Sequence, residues 1–117
     1  VIKDNHHILD QIYKILQARK VATGEKSYVA SLYEKGTPKI AGKILEEAQE
    51  FIDEAYLLDK TPDDENVQNN IRGEAADLMF HMMVMLAHHN VAPSDVFDIL
   101  ENRFGTSGHD EKASRNS

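Results

Sequence analysis

Five carboxylates, Glu46, Glu47, Glu50, Glu74 and Asp77, are spaced as EExxE and then ExxD in two stretches otherwise rich in apolar residues. Acids this close repel, and a fold that keeps them together usually uses them to hold a cation. With 3.6 residues per helical turn, Glu47 and Glu50 lie roughly 60° apart in projection, and Glu46 roughly 40° further round the same side. Glu74 and Asp77 repeat the i,i+3 relation, so each stretch, as a helix, offers two carboxylates stacked one turn apart. Antiparallel packing would let the pairs face each other as a cage of Glu47, Glu50, Glu74 and Asp77. Oxygen-only ligation of this kind suits Mg²⁺, with Mn²⁺ possible, and leaves room for water and substrate oxygens.

EExxE alone is weak, because acids commonly form the solvated face of a helix; Glu54, for instance, falls between Glu47 and the apolar stripe. The second motif is stronger. It sits in EAADLMFHMMVMLAHH, where Glu74, Asp77, His81 and His88 make a narrow strip that is not apolar. A helix apolar on nearly all sides is buried, so Glu74 and Asp77 are expected to be at least partly enclosed. No lysine or arginine lies between Arg72 and Arg103 to pair with them. A metal ion is the expected partner. In a chain this short such a helix needs covering from outside, which points to a dimer pairing these helices. For His81, one turn past Asp77, a core imidazole bonded to a carboxylate or backbone carbonyl is a better reading than ligation. The four methionines, Met79, Met82, Met83 and Met85, read as core filler.

Basic residues gather ahead of the first acids: Arg19, Lys20, Lys26, Lys35, Lys39 and Lys43. Lys43, one turn before Glu47, is placed either to reach a phosphate beside the metal or to pair with an acid. A second group, His109, Lys112 and Arg115, lies near the C-terminus beside Gly105 and Gly108. Metal-held acids flanked by cations point to hydrolysis of a phosphate anhydride, in which cations neutralise phosphoryl oxygens and a metal lowers the pKa of an attacking water. Glu46 is a candidate to orient that water or take its proton. No arrangement suggests covalent catalysis, and no GxxxxGK loop occurs.

Five helical segments must position these groups. Ile8, Ile12 and Ile15, flanked by Leu9 and Leu16, predict an amphipathic helix over 5–21. Ser27 is a cap for a short helix that Gly36 ends. Thr37-Pro38 reads as an N-cap followed by proline, opening a helix to about residue 59 with Ile40, Ile44, Ala48, Phe51, Ala55 and Leu58 as its stripe. Thr61-Pro62 repeats the signal, with Asp64 as a capping-box acid, and a third long helix is expected from about 62 to 89, although Gly73 weakens continuity over 63–72. A last helix runs from Pro93 to just before Gly105. The fold class is all-α, a bundle of four to five helices completed by dimerisation. Residues 1–104 form the bundle and 105–117 an irregular arm.

With 117 residues this is one domain by length. Its net charge of −7 argues against a grip on nucleic acid polymers. There is no cysteine, which fits a reducing, cytoplasmic setting, and no apolar run approaches the roughly 20 residues that span a bilayer, so no membrane partner is expected. The opening VIKDNHH lacks the order of a signal peptide.

The acid motifs resemble those of the all-α nucleoside triphosphate pyrophosphatase superfamily, which includes MazG-like proteins and dimeric dUTPases. Within it the chain is most similar to the phosphoribosyl-ATP pyrophosphatase family of histidine biosynthesis. The matching pieces are ARK at 18–20, KSYVASLYEKG at 26–36, KI and EEAQE within 43–50, GEAADLMFHMMVML at 73–86 and SGHDEKASR at 107–115. The SYxxxLxxKG and SGHxEKxxR pieces are far more specific than the shared acids. The resemblance implies Mg²⁺-dependent hydrolysis of 1-(5-phosphoribosyl)-ATP to 1-(5-phosphoribosyl)-AMP and pyrophosphate by a homodimer. It makes Glu47, Glu50, Glu74 and Asp77 the metal ligands, with Glu46 supporting the metals or the water. It assigns Arg19, Lys26, Tyr28, Lys35, Lys43, Ser107, His109, Lys112 and Arg115 to substrate. Two departures stand out: the polar KTPDDENVQNN between the acid motifs looks longer than the usual connection, and Phe80 stands where the family often has tyrosine. Two other readings remain at this point, a housecleaning pyrophosphatase acting on free nucleoside triphosphates and a non-enzymatic helical interaction protein.

Overall fold

The computed structural model describes residues 6–21 and 27–105, and every regular element within them is helical. These are α1 (His6–Val21), α2 (Tyr28–Lys35), α3 (Thr37–Lys60), α4 (Glu65–His88) and α5 (Pro93–Phe104). The arm residues Ser107, His109, Lys112 and Arg115, together with Lys26, lie outside the described residues.

Each short connection has a local cause. Ser27 caps α2 as expected, its Oγ accepting from the Ala30 N–H at 3.1 Å. Gly36 ends α2 with φ of 76°, in the left-handed region, and its N–H donates to the Leu32 carbonyl at 2.8 Å. It is also the cap of α3, so Thr37 is the first helical residue and not the N-cap. The freed Thr37 hydroxyl instead meets His89 Nε2 at 3.1 Å. A similar shift occurs at residue 61. Thr61 closes α3, and Asp64 is itself the N-cap of α4, its Oδ1 accepting from Asn66 N at 2.9 Å and Val67 N at 3.3 Å. The expected start near 62 moves to Glu65 because a carboxylate on two free N–H groups outcompetes a threonine preceding proline. Gly73 does not interrupt α4. Asn90, at φ 60°, takes the chain out of α4, and the Val91 N–H closes back on the Leu86 carbonyl at 2.8 Å.

The α3–α4 pair is the most extensive packing in the fold. A link of only four residues makes it an antiparallel hairpin, and Thr37 at the start of α3 touching His89 at the end of α4 agrees. The core lies where α1 and α2 cross this hairpin: Leu16, Val29, Leu32, Ile40, Met83, Val84 and Ala87 are buried together. On α1 the buried side is Leu16, with Leu9, Ile12 and Tyr13 against the cluster, while Ile8 and Ile15 are exposed. The face is thus turned from the isoleucine stripe toward the leucines. Tyr33 Oη donating to the Leu16 carbonyl at 3.0 Å and Gln17 Nε2 donating to the Ala87 carbonyl at 3.1 Å fix the crossing. Among the described residues no helix is long and apolar enough to cross a membrane.

Candidate metal and anion site

Along α3, Ile40, Ile44, Glu47, Phe51, Glu54 and Leu58 succeed one another at alternating intervals of four and three. On α4 the same alternation links Val67, Ile71, Glu74, Leu78, His81, Met85 and His88. That is the spacing of residues meeting along the seam of two packed helices, and all of these are buried or half-buried. Five polar groups, Glu47, Glu54, Glu74, His81 and His88, are thereby threaded into an otherwise apolar seam.

Glu47, Glu50 and Glu74 come together, each offering an oxygen within 4.8 Å of the others. Glu47 is buried, Glu74 half-buried and Glu50 exposed. The seam acids form a floor, and Glu50, one position off the seam, stands at its solvent edge. Asp77 is also one position off, beside Leu78. It is exposed and is not within that group of three, although close enough for its charge to act on Glu47. The expected enclosure therefore holds for Glu74 and not, in the single chain, for Asp77.

The electrostatics follow from this crowding. Hydrogen bonding to Glu50, followed by desolvation and the charges of Glu50 and Glu47, raises the Glu74 carboxyl to about 7. Glu47 is raised as well, first by burial and then by the charges of Glu50 and Asp77. Among the described residues, three buried oxygens, Glu47 Oε2, Glu54 Oε2 and Glu74 Oε2, have no hydrogen-bond partner. Buried carboxylate oxygens are costly without one. An all-oxygen donor set with unpaired lone pairs and excess negative charge fits a hard divalent cation. Glu54 is a group that sequence reasoning left beside the apolar stripe, and the four-three alternation was the signal that would have found it.

Outside the floor, Lys43 Nζ pairs with Glu46 Oε2 at 2.9 Å. That bond holds Glu46 below the usual carboxylate range and raises Lys43. Of the two roles left open for Lys43, this chain shows the ion pair, but with Glu46 instead of Glu47. Tyr28 Oη lies 2.7 Å from His81 Nε2, and His81 Nδ1 lies 2.8 Å from the Asp77 carbonyl. His81 is thus the core imidazole bonded to backbone that was expected. Arg19 and Tyr28 border one cavity, and Lys35 is exposed in the last turn of α2.

Residues 9–104 match the model of the family described as Phosphoribosyl-ATP pyrophosphohydrolase. A phosphoribosyl-ATP pyrophosphatase of Geobacter sulfurreducens is 44% identical over 115 residues, covering 98% of this chain and 99% of that protein. One from Hydrogenovibrio crunogenus is 45% identical over 95% of each chain. Another, from Azospirillum brasilense, is 43% identical over 94% of this chain and 92% of its own length.

Proposed function

The chain belongs to the phosphoribosyl-ATP pyrophosphohydrolase family, whose reaction in histidine biosynthesis it performs, and we propose that it does so as a Mg²⁺-dependent homodimer whose metal is held between α3 and α4. Glu47, Glu50, Glu74 and Asp77 are the proposed ligands, with Mn²⁺ an acceptable substitute. The observation that carries this reading is the convergence of three carboxylates within 4.8 Å on a seam that leaves buried oxygens unpartnered. Bound there, the ion would neutralise phosphoryl oxygens and acidify a water.

The protein's own groups divide the remaining work. Glu46, on the solvent side, orients the attacking water and receives its proton once Lys43 has turned to the substrate. Lys43 exchanges its carboxylate partner for a phosphoryl oxygen when substrate arrives. The bond from phosphorus to the departing pyrophosphate breaks as the one from water forms, leaving phosphoribosyl-AMP. Arg19, Lys26, Tyr28, Lys35 and the arm residues Ser107, His109, Lys112 and Arg115 complete the substrate site. A cytoplasmic setting is part of the proposal, in keeping with an acidic chain without cysteine.

The test is pyrophosphate release from phosphoribosyl-ATP. Glu50→Gln and Asp77→Asn should each lower turnover by about 100-fold or more while helicity by circular dichroism is retained. Full activity in either variant would remove that residue from the metal set.

A further inference from the structure

Lys20, His88 and His89 meet at one end of the bundle, where α1 and α4 finish and α3 begins. Tyr33 is their platform. Its Oη donates to the Leu16 carbonyl at 3.0 Å, which fixes the ring. Lys20 Nζ lies over that ring, 5.6 Å from its centroid, and the His88 imidazole stacks against it at 5.9 Å and 20°. His89 is edge-on to His88 at 5.0 Å, and its Nε2 is 3.1 Å from the Thr37 hydroxyl. Asn90, in the left-handed region at φ 60°, accepts from Lys20 Nζ at 2.9 Å through its side-chain oxygen.

Basic residues at helix C-termini are ordinary, because they meet the negative end of the helix dipole. That accounts for each of the three singly. It does not account for their being drawn together, since side chains spread into solvent would serve the dipoles as well. Here Lys20 and His88 are half-buried, while Thr37, His89 and Asn90 keep the corner open to solvent. Burial, followed by the charges of His89 and Lys20, pushes the His88 imidazole below its usual range. Among the described residues none of the three has a carboxylate partner, although the chain carries a net charge of −7. Basic groups held together without a counter-charge favour an anion between them. An ammonium, imidazoles and a hydroxyl together suit the oxygens of a phosphate monoester.

The corner also lies in line with the acids. His88 is on the same seam as Glu74, fourteen residues further along α4, or about 21 Å of helix. Thr37 is ten residues before Glu47 on α3, or about 15 Å. Phosphoribosyl-ATP is charged at both ends. It has a triphosphate at one end and the 5-phosphate of the added ribose at the other, with a purine and two riboses between. A molecule of that shape calls for two anion sites set well apart.

We propose that this corner binds the 5-phosphate of the substrate's phosphoribosyl group, with Lys20 supplying the charge and Thr37, His88 and His89 the surrounding hydrogen bonds. The proposal rests on the pyrophosphatase reading and deepens it. The metal floor serves the anhydride, and the corner separates this substrate from ordinary nucleoside triphosphates, which lack that phosphate.

The experiment measures competitive inhibition of the full chain, with Mg²⁺, by phosphoribosyl-AMP, AMP and inorganic pyrophosphate. Only the first carries the phosphoribosyl 5-phosphate. Lys20→Met keeps an apolar stem over Tyr33 and removes the charge. It should weaken phosphoribosyl-AMP by about 10-fold or more and leave AMP and pyrophosphate within about twofold. KM for phosphoribosyl-ATP should rise more than kcat falls. Equal weakening of AMP or pyrophosphate, or no change for phosphoribosyl-AMP, overturns the proposal. His89→Gln alters an exposed side chain and should weaken phosphoribosyl-AMP alone by about fivefold, so it decides where Lys20→Met lowers the melting temperature. Wild-type pyrophosphate release from phosphoribosyl-ATP is measured alongside. Its absence would sink the pyrophosphatase reading, whereas turnover with an indifferent Lys20→Met sinks this proposal alone.

Discussion

Glu74 sits among acids, and its proton is more tightly held in the fold than in the unfolded chain. A folded-state value near 7 means that, without metal, the native state binds more protons than the unfolded state between the ordinary carboxylate range and about pH 7. Stability then falls as pH rises through that window, and Glu47, also raised, acts in the same direction. Glu46 is shifted the other way but lies at the surface beside Lys43. Metal-free protein should thus melt at progressively lower temperature from about pH 5 to about pH 7. Mg²⁺ competes for the same oxygens, so its affinity should tighten over that interval and level off above it. Thermal melts with EDTA and with Mg²⁺ at each pH give both curves; a flat metal-free profile would contradict the crowding. Glu46→Gln loses only a solvent-screened surface ion pair, which contributes little to stability. It should slow turnover while leaving the melting temperature almost unchanged.

The helices carry these residues through rules that were partly visible beforehand. Helix identity was legible because Ser27, Gly36, Asn90 and Pro93 are strong punctuation, and their physical roles are local. The boundaries at 37 and 61 were misplaced because a threonine before proline resembles a cap wherever it occurs. Here Gly36 and Asp64 satisfy the free N–H groups or supply the backbone geometry better. Asp64→Ala should therefore cost about 1 kcal/mol, read by chemical denaturation, whereas Thr61→Ala should cost less. The acid pairing was legible from i,i+3 spacing. Which acids are enclosed was not, because that depends on the seam register: Glu47 and Glu74 fall on it, while Glu50 and Asp77 fall one residue to the side. The α1 face was misjudged for a similar reason, since isoleucines and leucines at adjacent positions leave the orientation to tertiary packing.

At the scale of the molecule, α4 is apolar around most of its circumference, and the described residues of one chain do not cover it. Met79 and Met82 are 54% and 49% exposed, and with Leu86, Val96 and Phe97 they border an apolar groove between α4 and α5. A patch of this kind agrees with the proposed dimer. Sedimentation should give twice the 13.2 kDa of one chain. Met82→Glu should shift that toward a single chain and lower the melting temperature, and an unchanged mass would place the interface elsewhere. The exposed methionines also make the fold answerable to mass action. When a second copy supplies the missing cover, association and folding share one equilibrium, so the melting temperature should climb with protein concentration. Dilution alone then becomes a perturbation: activity per chain would fall at low concentration with no residue changed.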